Sequence, residues 1–251
     1  MLNQIKIHSA LAEAMAARSY DTMTPVQEAV LKIKKANADL LVSAQTGSGK
    51  TLAFGISIAN TLLFENSEFN QPRLPLALVI APTRELALQV RKELEWLYAR
   101  TKAQFASCVG GMDPRAERRT LENGAHIVVG TPGRLRDHIE RGALCLSETK
   151  AIVLDEADEM LDMGFREDLT FILEKAPLSR RTLLFSATVS NQIAEMARTY
   201  QKEAIRISVS SAKKQHLDIT YHAMKIHPSD RDKAIINLLR YHDVSGTIIF
   251  C

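Results

Sequence analysis

Short apolar runs recur along this chain, and segments with a helical pattern separate them. The runs are nearly continuous in apolar and β-branched residues, which is typical of strands buried on both faces. We predict strands at residues 40–43, 76–81, 105–109, 127–129, 151–154, 182–185 and 205–209. Between them, apolar residues recur every three to four positions, as at Leu86, Val90 and Leu94, which predicts amphipathic helices. The alternation predicts an α/β fold: a doubly wound, mainly parallel sheet with helices on both faces.

Two further helices are predicted before the first strand. Residues 1–18 have an amphipathic pattern, and Ser9 is a candidate N-cap. The second helix is predicted to begin at Pro25 with Thr24 as its cap, because proline suits the first helical turn.

Polar clusters directly follow several of the predicted strands. Each cluster alone could be a helix cap or a turn. The carboxyl ends of parallel strands meet at one edge of the sheet, where such folds bind ligands. We therefore expect the clusters to form one site. They are Pro82, Thr83 and Arg84; Gly110 and Gly111; Thr131, Pro132, Gly133 and Arg134; Asp155 and Glu156; and Ser186 to Thr188.

A glycine-rich segment joins the first predicted strand to the helix after it. It comprises Ala44, Gln45, Thr46, Gly47, Ser48, Gly49, Lys50 and Thr51. This context predicts a phosphate-binding loop, in which backbone N–H groups and the helix N-terminus surround a polyphosphate. Lys50 would bind the outer phosphates, and the Thr51 hydroxyl would ligate Mg²⁺. The usual pattern begins with glycine, whereas this segment begins with Ala44. An ordinary Gly/Ser turn is the alternative, but it leaves the adjoining Gly49, Lys50 and Thr51 unexplained.

Two carboxylates follow the predicted strand at 151–154. Asp155 stands where a phosphate-binding fold places the carboxylate that holds Mg²⁺, usually through water. Glu156 would orient and deprotonate the water that attacks the γ-phosphate. The alternative is that acidic residues here only favour the start of a helix. The presence of Lys50 and Thr51 upstream favours the nucleotide site.

Composition and charge exclude few classes of protein. The 251 residues are 46% hydrophobic and 24% charged, with a net charge of +3 that permits a nucleic-acid partner without requiring one. We see neither an apolar run long enough for a membrane span nor a signal-peptide pattern, so we expect a cytoplasmic protein without membrane contact. Cys108, Cys145 and Cys251 lack metal-ligand spacing and are interpreted as buried thiols rather than a disulfide framework.

The quartet Asp155, Glu156, Ala157 and Asp158 resembles the signature of the DEAD-box ATP-dependent RNA helicases. The other clusters resemble further motifs of this family, in the same order along nearly the whole chain. The resemblance implies a RecA-like domain with ATP and Mg²⁺ as cofactors. It also implies catalytic roles for Lys50, Asp155 and Glu156, with Ser186 and Thr188 coupling hydrolysis to strand separation.

The same resemblance implies an RNA partner, held through its backbone with little sequence specificity. The implied RNA-binding residues are Pro82, Thr83, Arg84, Gly110, Gly111, Thr131, Pro132, Gly133, Arg134 and Arg166. The family also reads adenine upstream of the phosphate loop, which implies that Tyr20 packs on the base, that Gln27 bonds to it, and that Thr24 lies nearby. Residues that depart from the usual pattern in this element are Ser19, Tyr20, Met23 and Val26.

The resemblance divides the chain into a RecA-like ATP-binding domain at 1–209, a linker at 210–216 and a truncated start of a second domain at 217–251. Because the family's arginine finger comes from the second domain, the fragment is expected to bind nucleotide but to hydrolyse ATP and unwind poorly. The strand–helix–strand pattern predicted within 217–251 lacks partner strands, so pairing with a second copy into a homodimer is expected.

Two rival functions are considered. Another helicase-like ATPase, such as a DNA translocase or repair helicase, shares the phosphate loop, but residues 20–27 and the full acidic quartet disfavour it. A non-catalytic RNA- or protein-binding module could retain the fold. The presence of both Lys50 and Glu156 disfavours that alternative.

Overall fold

The structure, a computed structural model, describes residues 7–33, 35, 37–63, 68–209, 220, 222–243 and 246–249. The chain forms two compact units, Met1–Ser210 and Ser211–Cys251. The predicted linker at 210–216 lies outside the described residues, and the boundary at residue 209 remains a prediction.

The first unit is built on a seven-stranded sheet. Its strands are β1 (Leu40–Ala44), β2 (Ala77–Ile80), β3 (Phe105–Cys108), β4 (Ile127–Gly130), β5 (Ala151–Leu154), β6 (Arg181–Ser186) and β7 (Ile205–Val209). The spatial order is β3-β4-β2-β5-β6-β1-β7, and every pairing is parallel. Each strand begins and ends within one residue of its predicted bounds, so the predicted parallel sheet is confirmed.

Helices cover both faces of this sheet. They are α1 (Ser9–Ala16), α2 (Pro25–Leu31), α3 (Lys50–Leu62), α4 (Arg84–Leu97), α5 (Pro114–Glu122), α6 (Pro132–Glu140), α7 (Ala157–Asp162), α8 (Arg166–Lys175) and α9 (Asn191–Tyr200). Successive strand residues point to opposite faces. A hydrophobic core therefore lies on each face of the sheet. Val79 and Val153 belong to the core that includes residues of α1 to α4. Leu78 and Ile152 belong to the core that includes residues of α6 to α9.

The two edge strands correct the expectation of burial on both faces. The central strands β2, β4 and β5 are buried throughout. In β7, Arg206 and Ser208 are exposed, and β3 alternates between buried and half-buried positions. Because β3 and β7 each have a neighbour on one side only, helices cover them less completely.

The N-terminal helices test two predicted caps. Ser9 is not an N-cap: it is the first residue of α1, whose N-cap is His8 without a side-chain capping bond. Helix α1 also ends at Ala16, and residues 1–6 lie outside the described part. Thr24 does cap α2, since its Oγ1 accepts from Gln27 N at 3.4 Å, and Pro25 is the first helical residue.

The second unit contains a short 3₁₀ helix, Pro228–Asp230, followed by α10 (Arg231–His242), which confirms the predicted helix at 230–242. The described parts of the two strands predicted there, 220, 222–224 and 247–249, are not strands. A strand needs a neighbour for its backbone groups, and local sequence cannot supply one. Among the helices that the structure describes, none has the length and apolar character needed to span a membrane.

Candidate functional site

The polar clusters lie together because the sheet is parallel. The glycine-rich segment follows β1, and the other clusters follow β2, β3, β4, β5 and β6. All of these strands run in the same direction, so the clusters occupy one edge of the sheet. The expectation that they meet at the carboxyl ends of the strands is therefore correct.

The glycine-rich segment forms a tight turn between β1 and α3. Gly47 and Gly49 have φ values of 77° and 86°, a region that residues with a Cβ rarely adopt. A Cβ on Gly49 would also collide with the side-chain amide of Gln27. Ala44, the irregular first residue, is the last residue of β1, and its carbonyl accepts from Lys50 Nζ at 3.1 Å.

Lys50 joins this loop to the acidic cluster. Its Nζ lies 2.9 Å from Glu156 Oε1, and the two side chains are only 5% and 10% exposed. Thr46 Oγ1 donates to the same carboxylate oxygen at 3.0 Å. Glu156 has a φ of 49°, an unusual conformation for a residue with a side chain. Lys50 and Glu156 thus form a buried ion pair that connects the loop to the acidic cluster.

Asp155 is buried beside this pair. Burial raises the pKa of its carboxyl to about 7; the charge of Glu156 raises it further, whereas the Lys50 charge and a hydrogen bond from Glu156 N oppose the rise. A carboxyl with a raised pKa lacks enough positive charge nearby to stay ionised. A divalent cation would supply it, and carboxylate and hydroxyl oxygens are the ligands that Mg²⁺ prefers. Asp155 and the half-buried Thr51 therefore fit a Mg²⁺ site.

Gln27 connects the segment upstream of the loop to the loop itself. Its side chain is fully buried: Nε2 donates to Gly49 O at 3.1 Å and to the Tyr20 hydroxyl at 3.0 Å, while Oε1 accepts from Thr24 N at 2.9 Å. Tyr20, Thr24 and Gln27 are thus brought together beside the glycine-rich segment. Ser19 adopts a φ of 53°, which glycine would adopt more easily.

The segment after β6 binds back to the acidic quartet. Thr188 donates from both its backbone N and its Oγ1 to Asp158 Oδ2, each at 2.9 Å, and Ser186 Oγ donates to Thr188 O at 2.6 Å. Burial alone would raise the pKa of Asp158, but hydrogen bonds from Thr188 and Ser186 lower it below the usual value. Asp158 was not predicted as a site residue, although its place in the quartet was a usable signal.

The residues predicted to contact RNA form a second group along this edge. A Cβ on Gly111, whose φ is 74°, would lie 2.8 Å from Arg84 Nη1, so the loop packs against this guanidinium. Gly110, Gly111 and Gly133 are exposed, whereas Thr83 caps α4. Thr131 precedes α6 without a side-chain capping bond, and the side chains of Pro82 and Pro132 are buried.

The two remaining arginines of the prediction are already paired. The Arg134 side chain is 15% exposed, with Nη1 3.2 Å from Glu117 Oε2 and Nη2 donating to Met112 O at 3.3 Å. Arg166 begins α8, where Nη2 lies 2.6 Å from Glu195 Oε2. The structure therefore places Arg134 within the second group and Arg166 in a separate ion pair with α9.

A buried cluster of Cys108, Glu117 and His138 lies beneath the second group, with possible ligand atoms within 4.8 Å of one another. Burial, with the charge of Glu117, raises the pKa of the Cys108 thiol well above its usual value, although Arg134 opposes the rise. A protonated thiol is a poor metal ligand. Cys108 is buried as predicted, whereas Cys145 is exposed, so the prediction of a buried thiol is wrong for Cys145. The Glu117 oxygens are also engaged by Val109 N, Arg134 and His138, so the geometry favours a hydrogen-bonded cluster over a metal centre.

Comparisons with known proteins agree with this geometry. The family model described as "DEAD/DEAH box helicase" matches residues 24–196. The chain is 36% identical over 247 residues to the DEAD-box ATP-dependent RNA helicase CshA of Geobacillus kaustophilus, covering 98% of this chain and 52% of that protein. It is 42% identical over 208 residues to DEAD-box ATP-dependent RNA helicase 53 of Oryza sativa, covering 82% and 34%.

A solved structure is similar as well. The crystal structure of a DEAD box protein from the hyperthermophile Methanococcus jannaschii matches with a TM-score of 0.74 at 33% identity, covering 95% of this chain and 62% of that one. The chain spans about half the length, or less, of the curated relatives named above. The family model covers most of the chain and includes the glycine-rich segment, the acidic quartet and the segment after β6. This protein therefore belongs to the DEAD/DEAH box helicase family.

Proposed function

We propose that this chain is the ATP-binding core domain of an ATP-dependent RNA helicase, which couples ATP binding and hydrolysis to the unwinding of RNA duplexes. One observation carries the proposal: Lys50 of the phosphate loop and Glu156 of the acidic quartet meet at 2.9 Å in a nearly buried pair. A loop able to bind phosphates thus lies directly beside a carboxylate able to orient water. The names of the matched relatives support the same assignment.

The geometry suggests how the site responds to nucleotide. A polyphosphate in the turn around Gly47 and Gly49 would be bound by backbone N–H groups and would attract Lys50 away from Glu156. Glu156 would then be free to accept a proton from a water in line with the γ-phosphate. Asp155 and Thr51 would hold Mg²⁺, which neutralises charge on the phosphates.

Adenine selectivity is assigned to Gln27. Its side-chain amide already forms hydrogen bonds with Tyr20, Thr24 and Gly49. To bind adenine, Gln27 would exchange some of these partners for the base, so its amide would not be left without a hydrogen bond. Gln27→Ala is expected to weaken ATP affinity roughly tenfold and to reduce the preference for ATP over GTP. Titration with both nucleotides checks this, with Gln89→Ala, an exposed residue of α4, as control. Undiminished preference for ATP would show that adenine is read elsewhere.

RNA is proposed to bind along the second group, through backbone amides near Gly110, Gly111 and Gly133 and through Arg84. Such contacts are made to phosphate and sugar and carry little sequence information. Arg134 and Arg166 are part of the proposal. Arg166 would exchange its partner Glu195 for RNA, whereas Arg134 would act while it remains bonded to Glu117. Affinity is expected to fall steeply with salt.

Phosphate release decides between this function and its alternative. Tested alone, the chain is expected to bind Mg²⁺ and ATP but to hydrolyse ATP slowly and unwind poorly, because the family resemblance assigns the arginine finger to a second domain. A non-catalytic RNA- or protein-binding module would show no ATP-dependent behaviour at all. Phosphate release by the full-length protein, with Lys50→Ala and Glu156→Gln as controls, should be RNA-stimulated and lost in both variants. Rapid turnover by the 251-residue chain alone would contradict the expected need for a second domain.

Self-association through 217–251 and a cytoplasmic location remain further proposals. In the second unit, α10 exposes Ile236, Leu239 and Tyr241, which gives an apolar surface that a second copy could cover. Light scattering of the chain is expected to show a dimer, and Leu239→Glu is expected to return it to a monomer. A wild-type monomer at micromolar concentration would rule out the dimer.

Fractionation of the native host cells tests the proposed cytoplasmic location.

A further inference from the structure

Glu117 is a buried carboxylate that belongs to none of the recognised motifs. It lies on α5 and is only 6% exposed. Its Oε1 accepts from Val109 N at 2.8 Å, while Oε2 lies 2.8 Å from His138 Nε2 and 3.2 Å from Arg134 Nη1. A carboxylate is rarely buried unless it is paired and hydrogen-bonded, and here both oxygens are engaged.

The groups around Glu117 come from two of the segments proposed to bind RNA. Val109 immediately precedes Gly110 and Gly111 at the end of β3, while Arg134 and His138 lie one helical turn apart on α6. Arg134 also donates to Met112 O in the loop after the two glycines. Glu117 and Arg134 together therefore close a ring of hydrogen bonds between the loop after β3 and the start of α6.

The ring also fixes the position of the Arg134 guanidinium at this edge of the sheet. Arg134 has a long side chain with many rotamers, and a fixed carboxylate partner removes most of that freedom. The loop it fixes is the one against which Arg84 packs, through Gly111. Without Glu117, Val109 N would lose its acceptor, and the contact that holds Arg134 near Met112 would be weakened.

We propose that Glu117 is a positioning residue that holds the 109–112 loop and Arg134 in the arrangement that receives RNA phosphates. The inference rests on the proposed RNA-binding function. The direction in which RNA affinity changes when Glu117 is neutralised tests this role. If Glu117 only added negative charge near the RNA, its neutralisation would strengthen binding. If it positions the loop and Arg134, neutralisation weakens binding.

Glu117→Gln tests the sign with little change in shape. The chain is titrated into fluorescein-labelled single-stranded oligouridylate with Mg²⁺ and a non-hydrolysable ATP analogue, and anisotropy reports RNA affinity. The variant is expected to bind roughly tenfold more weakly, since one charge-assisted contact is lost. Glu122→Gln is the matched control: it removes the same charge from the same helix, but its partner Arg118 is exposed. Its affinity should equal or slightly exceed that of the wild type.

A double-mutant cycle separates positioning from a general structural role. Arg134→Gln should also weaken RNA binding, and Glu117→Gln in that background should add at most about a twofold loss, because the two residues act through one contact. Equal or tighter RNA binding by Glu117→Gln, or fully additive losses, would overturn the proposal.

Amide hydrogen exchange gives a readout that needs no RNA. Glu117→Ala should lose protection at Val109 and in the 110–112 loop while β2 remains protected. Unchanged exchange at Val109 would also overturn the proposal. If the wild-type chain binds ATP but not RNA, the proposed function fails instead, and the exchange measurement still decides whether Glu117 positions the loop.

Discussion

Lys50→Ala is expected to remove saturable nucleotide binding over the concentrations that saturate the wild type, and also to destabilise the fold. Its ammonium group is one half of a buried pair with Glu156, so its removal leaves a buried carboxylate without a cation. Breaking such a pair costs about 3–5 kcal/mol of unfolding free energy. Loss of a charge-assisted phosphate contact weakens nucleotide affinity by roughly 10- to 100-fold. Urea unfolding and nucleotide titration measure the two effects separately.

A double variant separates these two roles of Lys50. Lys50→Ala combined with Glu156→Gln removes the uncompensated charge, so most of the lost stability should return while nucleotide binding stays lost. Thr46 Oγ1 can still donate to the amide oxygen at position 156. If the double variant were as unstable as Lys50→Ala, the buried pair would not be the cause of the destabilisation.

Asp155→Asn is expected to change stability and function in opposite directions. Burial raises the pKa of this carboxyl to about 7, so the metal-free protein is least stable when Asp155 is ionised. The asparagine variant should therefore be more stable than wild type at pH 8, on the order of 3–4 kcal/mol from a shift of about three pKa units. It should lose the strengthening of ATP binding by Mg²⁺ that is expected of the wild type.

The pH dependence gives the sign of this effect. The folded-state pKa lies above the unfolded value, so the contribution of Asp155 to stability is fully present below about pH 4 and is lost as pH rises through about 7. Urea unfolding in a metal chelator at pH 4, 6 and 8 should show this decline in the wild type and not in Asp155→Asn. Asp162→Asn, an exposed position on α7, should behave as the wild type does. A parallel decline in Asp155→Asn would assign the pH effect to other groups.

Local sequence was sufficient for the sheet and for the tight turn of the glycine-rich segment. Buried parallel strands are continuous in apolar residues, so runs such as 127–129 and 151–154 are readable without knowledge of their neighbours. Glycines at 47 and 49 are required by a turn that precedes its own helix, which is again local. The family resemblance supplied roles for residues such as Gln27 that no periodicity could give.

The remaining features depend on contacts between distant segments. The strands predicted in 217–251 needed partners that the local pattern could not reveal, and the exposed face of β7 depended on its position at the sheet edge. The burial of Glu117 depends on contacts with α6 and with the end of β3, so the residues adjacent to it in sequence do not indicate it. The pairing of Lys50 with Glu156 joins residues 106 positions apart.

Calorimetric titration of the Lys50→Ala, Glu156→Gln double variant with Mg²⁺ and ATP tests the central claim most directly. This variant is expected to stay folded, so a loss of binding reports on the site and not on stability. We expect the wild-type chain to bind one ATP and the double variant to show no saturable binding over the same concentrations. Wild-type affinity in the double variant would contradict the assignment of the phosphate loop and acidic quartet as the nucleotide site.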